Sequence, residues 1–356
     1  MIPSFSNGPI CPLPLAHNEQ IVIGHGSGGK MTHDLIQRLF APYLGSPALQ
    51  QGNDFAGLEL PAGAGLRGRL AVSTDSHIVT PLFFPGGDIG RLAVCGTVND
   101  ISMSGGIPLY LTAGFILEEG LSMETLQAVL VSMYAAAAEA GVQFVAGDTK
   151  VVEKGKADGL FINTAGVAWI PEGRQIGGAL AQPGDQVLIS GTIGDHGVAV
   201  LVARGELGFE TAVQSDAAPL NGLIQAVLQA APHTHVLRDP TRGGLATTLN
   251  EIARQSQVNI LITETAIPIL PAVQSVCEML GFDPLYVANE GKVIVIVPAD
   301  EAEAALAALR AHPYGKAAAR IGKVEAAPAG RVLLKTPIGS TRILDMLAGE
   351  MLPRIC

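Results

Sequence analysis

Three features of this chain could do chemistry: a cysteine at the last position, a glycine-rich loop ending in lysine, and aspartates set beside glycine or apolar runs. The sequence ends MLPRIC, so Cys356 is its last residue. A prenylation box needs its cysteine four from the end, where Pro353 stands, so the lipid-anchor reading fails on position. The loop GHGSGGK at 24–30 follows the apolar run IVI at 21–23. Gly24, Gly29 and Lys30 have P-loop spacing, but Met31 stands where the metal-binding Ser or Thr should be. Backbone N–H groups of such a loop can still cradle phosphates, and Lys30 can neutralise one. The plainer alternative is a glycine turn before a helix.

The acids Asp54 (GNDFAG), Asp75 (STDS), Asp100 (VND), Asp148 (GDTK) and Asp239 (RDPTRGG) each lie at the edge of an apolar or glycine-rich segment. Oxygen ligands drawn from several segments suit magnesium bound to a polyphosphate. Each acid also has an ordinary reading: Asp239 before Pro240 as a helix N-cap, Asp148 as a turn residue, Asp100 as a solvated helix position.

The elements that must position these groups alternate in type. Short apolar runs, RLAVST (69–74), LYLTAGFIL (109–117), VQFVAG (142–147) and LFINTAGVAWI (160–170), predict strands. Between them the spacing predicts a helix over 122–140, capped by Ser122, with Leu126, Val129, Leu130, Met133 and Ala137 on one apolar face. The Pro- and Gly-rich stretch PEGRQIGGALAQPGD (171–185) marks a domain boundary. Beyond it come strands at QVLIS (186–190) and KVIVIV (292–297), helices after Thr241 and Pro271, an alanine-rich helix from Asp300 to about Ala311, and short runs near Ile321 and Val332. This predicts an irregular arm over 1–18, an α/β domain over 19–172, an α+β domain over 173–345 and a tail over 346–356; only the last ten or so residues lack a packing pattern.

Composition narrows the function. The 356 residues are 48% hydrophobic and 15% charged, ample for two buried cores. A balance of 22 basic against 32 acidic residues argues against nucleic acid or an anionic membrane as partner. The first twenty residues have neither a basic region nor a long apolar run, so a cytoplasmic protein is expected. Cys11, Cys95, Cys277 and Cys356 are scattered, without zinc or disulfide spacing.

The segments GHGSGGK, STDS, FPGGDIGRLAVCGTVNDISMSGG, EEG, GDTKVVEKGKADG, RDPTRGGLATTLNEIA, CEMLGFDPLYVANEGK and PRIC, in this order from about residue 20 to 356, resemble the HypE family of hydrogenase maturation factors. These are carbamoyl dehydratases of the aminoimidazole ribonucleotide synthetase and selenophosphate synthetase superfamily. The resemblance implies a two-domain fold, α/β then α+β, with N-terminal sheets joined in a barrel across a homodimer and a flexible C-terminal tail. It implies ATP and Mg2+ as cofactors. Asp54, Asp75, Asp100 and Asp239 are the implied magnesium ligands; Gly26, Ser27, Gly28, Gly29, Lys30, Asp75, Asn99, Asp100 and Asp148 are the implied nucleotide site. Cys356 is implied as the carrier of a carbamoyl group received from HypF, then dehydrated to a thiocyanate whose cyanide passes to iron on HypC–HypD. Glu290 (ANEGK) and Lys150 (GDTK) are implied beside it as catalytic residues. The N-terminal arm matches no family segment.

Two rivals predict different residues. A selenophosphate synthetase or thiamine-phosphate kinase would share the aspartates without needing Cys356; the former carries Cys or Sec in the loop, where this chain offers His25 and Ser27. A redox or metal-delivery module using Cys356 alone would leave the loop and the aspartates unexplained.

Overall fold

The computed structural model describes residues 28–35, 37, 51, 53–59, 67–205, 208, 211–349, 352 and 354–356. The expected arm over 1–18, the run at 21–23, and Gly26 and Ser27 lie outside the described residues. After α1 (Lys30–Leu35), the first half contains β1 (Ala56–Glu59), β2 (Gly68–His77), the small pair β3 (Phe83–Phe84) and β4 (Gly87–Asp88), α2 (Ile89–Ser102), β5 (Ile107–Glu118), α3 (Met123–Ala140), β6 (Gln143–Val152) and β7 (Leu160–Pro171). Their sheet has the order β1-β2-β7-β5-β6. Its neighbours are antiparallel except β5 and β6, the parallel pair that α3 joins as a crossover.

β7 buries every second residue from Leu160 to Ile170, the pattern of a strand with one face covered. The cover is α2, capped by the Asp88 side chain accepting from the Gly90 and Arg91 amides. A Cβ on Gly166 of β7 would lie 2.8 Å from Thr97 of α2, so glycine permits this approach. The last turns of α2, with Asn99 and Asp100, are thereby pressed toward the second half.

Helix α3 begins after Ser122 as expected, and the Ser122 hydroxyl accepts from the Thr125 amide. Its covered strip differs from the expected one: Val129, Met133, Ala136, Ala137 and Ala140 are buried, while Leu130 is 43% exposed. The small residues govern this, because α2 comes so close that a Cβ on Gly90 would lie 2.5 Å from the Val129 carbonyl.

The second half contains β8 (Gln186–Ile189), α4 (Asp195–Ala203), α5 (Asn221–Ala230), β9 (Val236–Arg238), α6 (Gly244–Ser256), β10 (Asn259–Thr263), α7 (Pro271–Leu280), β11 (Ile294–Val297), α8 (Ala302–Ala311), β12 (Ala319–Glu325), β13 (Arg331–Lys335) and β14 (Thr341–Leu344). The sheet order is β14-β13-β10-β12-β8-β11-β9. Strands β8 and β11 are covered on both faces, which is why QVLIS and KVIVIV read as continuous apolar runs. Val187, Ile189, Ile294 and Ile296 pack with Leu245 and Leu249 of α6. Leu188, Val295 and Val297 pack with α5 and α8 in a core that also takes in Ile101, Met103 and Ile170 from the first half. One apolar cluster therefore locks the two halves together. Among the described residues, no helix is long and apolar enough to cross a membrane.

Candidate active site

The described residues of the tail, Leu347, Leu352 and 354–356, lie between the two halves. At its root the Lys30 amide donates to the Leu347 carbonyl at 3.0 Å. A Cβ on Gly29 would lie 2.4 Å from that oxygen, so the loop glycine is required for the contact. Farther on, Ile355 forms an isolated antiparallel bridge with Val79, just past β2. The Ile78 amide donates to the Cys356 carbonyl oxygen at 3.1 Å. The expectation that the last residues lack a packing pattern is corrected here: Ile355 is 4% exposed. One apolar residue held beside a strand end leaves no periodicity to read.

Docked in this way, the Cys356 thiol lies close enough to Glu290 to feel its charge. Burial, and after it the Glu290 charge, pushes the thiol pKa well up, against the opposing effect of Arg242. Glu290 is 5% exposed. Its own carboxyl is raised well above the usual range by burial and then by Asp75, Asp216 and Asp239, again opposed by Arg242. A thiol held neutral is a poor nucleophile, so the docked cysteine is not prepared to attack. A group already attached to its sulfur would lie beside a strongly basic carboxylate once Glu290 ionises.

The backbone around Glu290 is fixed from two sides. Its amide donates to Asp216 Oδ1 at 3.1 Å, and its carbonyl accepts from Asn99 Nδ2 at 3.0 Å. Asp216 Oδ2 is held by Lys292 Nζ at 2.8 Å. A Cβ on the next residue, Gly291, would lie 1.8 Å from the Asp216 carbonyl, which accounts for the Glu-Gly pair in ANEGK.

The four expected metal ligands come from β2 (Asp75), α2 (Asp100), the turn before β1 (Asp54) and the residue after β9 (Asp239). They are close enough to act on one another's charge. Burial, then Asp239, Asp75 and Asp54, pushes Asp100 well up. Burial, then Asp54, takes Asp239 to about 8. Asp54 is raised to about 6 by burial, although Arg238 Nε lies 2.5 Å from its Oδ2. For Asp75, burial is outweighed by His77 at 3.2 Å and by Arg242, and its pKa falls to about 2. Crowded carboxylates of this kind suit a hard divalent cation. As placed, however, no three His, Cys, Asp or Glu side chains among the described residues are grouped closely enough to hold a metal ion.

Two other expected residues have close partners of their own. Asn99, expected at the nucleotide, is buried and spends its amide on the Ala218 and Glu290 carbonyls and the Leu220 amide, so it joins the two halves. Lys150, expected beside Cys356, is exposed on β6, and its Nζ is bonded to both oxygens of Asp148 at 2.7 and 2.6 Å. The cation acting on both Cys356 and Glu290 is Arg242, which sequence reasoning missed although it stands in the quoted RDPTRGG. Gly28, at φ +74°, lies against Arg242: a Cβ there would be 3.0 Å from the arginine Cβ. Asp148 and Lys150 line a cavity of about 400 Å3 with Ser76, Ile78 and Asn163.

Comparison with known proteins gives this architecture a class. The family AIR synthase related protein, N-terminal domain, matches residues 53–170, and AIR synthase related protein, C-terminal domain, matches 182–335. The fold and its cleft therefore define an AIR synthase related protein of two α/β domains. Carbamoyl dehydratase HypE of Cupriavidus necator is 54% identical over 95% of this chain and 95% of its own. A crystal structure of a HypE–HypF complex aligns at TM-score 0.82 and 50% identity, covering 88% of this chain and 99% of that one. A hydrogenase maturation protein HypE in complex with ATP aligns at TM-score 0.78 and 52% identity, covering 95% of this chain and 100% of that one. The chain belongs to the carbamoyl dehydratase HypE family.

Proposed function

We propose that this protein uses ATP to dehydrate an S-carbamoyl group on Cys356 to a thiocyanate, supplying the cyanide ligand for the iron of nickel–iron hydrogenase. The observation that carries this reading is that the docked tail brings Cys356 within reach of the Glu290 charge, among aspartates that act on both. The ATP complex of a 52% identical HypE supports the nucleotide. The HypE–HypF complex supports HypF as the carbamoyl donor. HypC–HypD is the proposed cyanide acceptor, and the cytoplasm the proposed compartment.

An amide oxygen is a poor leaving group until it is phosphorylated. The carbonyl oxygen of S–C(=O)–NH2 attacks the γ-phosphorus and ADP departs; loss of two N–H protons and of the phosphate then leaves S–C≡N. The protein's part is positioning and charge. Glu290 accepts the protons lost from nitrogen, and Arg242 offsets negative charge between Asp75 and Glu290. Asp54, Asp75, Asp100 and Asp239 are the proposed holders of magnesium, with Gly26, Ser27, Gly28, Gly29, Lys30 and Asp148 toward the phosphates. Magnesium held there would supply positive charge to the phosphates and would offset the Asp75 and Asp239 charges that raise Glu290. Lys150 lines, with Asp148, the cavity that reaches Ile78, whose amide holds Cys356, and its proposed part is to orient the carbamoyl group or offset charge on its oxygen.

The neutral docked thiol supports loading at another active site, which requires the tail over 346–356 to leave the cleft and return. A homodimer through the first sheet is supported by Ile107, Tyr110, Ile116, Val145 and Val151, large apolar residues exposed on β5 and β6. The test is to incubate the protein with its carbamoylating partner, carbamoyl phosphate and ATP, and to weigh the peptide carrying Cys356. Loss of one water from the carbamoylated peptide is expected. A carbamoyl group that persists in the presence of ATP would defeat the reading.

A further inference from the structure

We infer that His196 is a positioning residue that sets the register of the tail against Glu290, working through the dipeptide Ser215-Asp216; its consequence for turnover rests on the dehydration proposed above. His196 is fully buried in the first turn of α4. Its Nε2 lies 2.7 Å from the Ile355 carbonyl oxygen. A carbonyl only accepts, so Nε2 carries the proton and Nδ1 is the acceptor. The Ser215 hydroxyl, 2.8 Å from Nδ1, is then the donor that fixes this tautomer, while its oxygen accepts from the Ala217 amide at 3.2 Å. The Phe84 ring meets the imidazole edge-on, with centroids 5.5 Å apart, and holds its plane.

The adjoining residue holds the other reacting group. Asp216 Oδ1 accepts from the Glu290 amide at 3.1 Å. The sulfur's neighbour and the carboxylate's backbone are thus suspended from consecutive residues, and Ser215 is itself tied to the Pro85 carbonyl at 2.8 Å. At the rim, Arg204 grips both strands, with Nε to the Thr80 carbonyl at 3.1 Å and Nη2 to the Arg354 carbonyl at 3.0 Å. The arginine and the Ile78 and Thr80 amides hold the outward carbonyls of the tail, whereas the histidine holds the Ile355 carbonyl between them. Small misplacements of reacting groups cost large factors in rate, so the inner contact controls the chemistry.

The full chain is tested as wild type, His196→Gln, His196→Leu and Ser215→Ala. Each is exposed to a small alkylating reagent, and modification of Cys356 is timed by mass spectrometry; buried Cys95 and Cys277 report unfolding. His196→Leu is expected to be alkylated about tenfold faster at Cys356 with Cys95 and Cys277 still protected. His196→Gln, which can return an N–H near the Nε2 position, should approach wild type. With carbamoylated protein and ATP, His196→Leu should form thiocyanate about 10- to 100-fold more slowly, at unchanged ATP affinity, with rescue by Gln. Wild-type protection in His196→Leu, or glutamine as exposed as leucine, would overturn the inference. If His196→Leu does not fold, Ser215→Ala decides, and wild-type protection there overturns it too. A wild-type protein that makes no thiocyanate would sink the proposed function while leaving the alkylation result to judge the clamp.

Discussion

Asn99 Nδ2, at the end of α2 in the first half, donates at 3.0 Å to the carbonyl of Glu290 in the second. The base of the proposed reaction is therefore held by the domain that does not contain it. Substituting Asn99 with Leu strands the Ala218 and Glu290 carbonyls and the Leu220 amide in the interior. Urea denaturation should register a loss of about 2–4 kcal/mol, since each abandoned buried group costs ~1–3 kcal/mol. A midpoint unmoved from wild type would refute this account of the domain junction.

Glu290→Gln keeps the shape of the side chain and removes its basicity. The variant should still accept the carbamoyl group on Cys356, and thiocyanate should form about 10²- to 10⁴-fold more slowly. Undiminished conversion, read by mass on the Cys356 peptide, would remove Glu290 from the mechanism.

The carboxylates of the cleft make stability depend on pH in an unusual direction. Burial raises Asp239 from 3.8 to about 8, and takes Asp54 to about 6. A folded-state pKa above the unfolded value means that the folded protein binds more protons between the two. The stabilising contribution is complete below about pH 4 and is lost as pH climbs through about 6 to about 8. Asp75, lowered to about 2, works oppositely but only in strong acid. With a chelator present, the melting temperature should fall between about pH 5 and pH 9, and magnesium should restore most at the alkaline end. A melting temperature that rises across that range, with or without the ion, would contradict the assignment.

Gly29→Ala places a methyl group 2.4 Å from the Leu347 carbonyl. The root of the tail must then shift, and alkylation of Cys356 should quicken by about 5- to 30-fold, equivalent to ~1–2 kcal/mol. Unchanged protection of the thiol would show that the loop does not hold the tail.

What the sequence made legible was whatever repeats or stands next to glycine. The central strands at 186–189 and 294–297 were readable because burial on both faces forces unbroken apolar runs. The aspartates stood out as acids at the edges of such runs, and they do act on one another's charge. Helix α4 was missed because DHGVAVLVA is apolar almost all round and its N-cap, Gly194, offers no side chain. His196 and Arg204 were missed for another reason: their partners are backbone carbonyls of the tail, and a carbonyl leaves no trace in residue type. Asn99 was visible as a polar residue in a conspicuous segment, yet its amide serves the backbone across the domain junction.

The contact between Lys30 and Leu347 also constrains the order of events. The amide that receives the tail's carbonyl at 3.0 Å belongs to the first residue of the helix that follows the phosphate-type loop. A single N–H cannot serve a phosphate oxygen and the Leu347 carbonyl at full strength together. If the loop faces the phosphates as proposed, nucleotide and tail would draw on the same hydrogen, and the loop would act as an interlock between them.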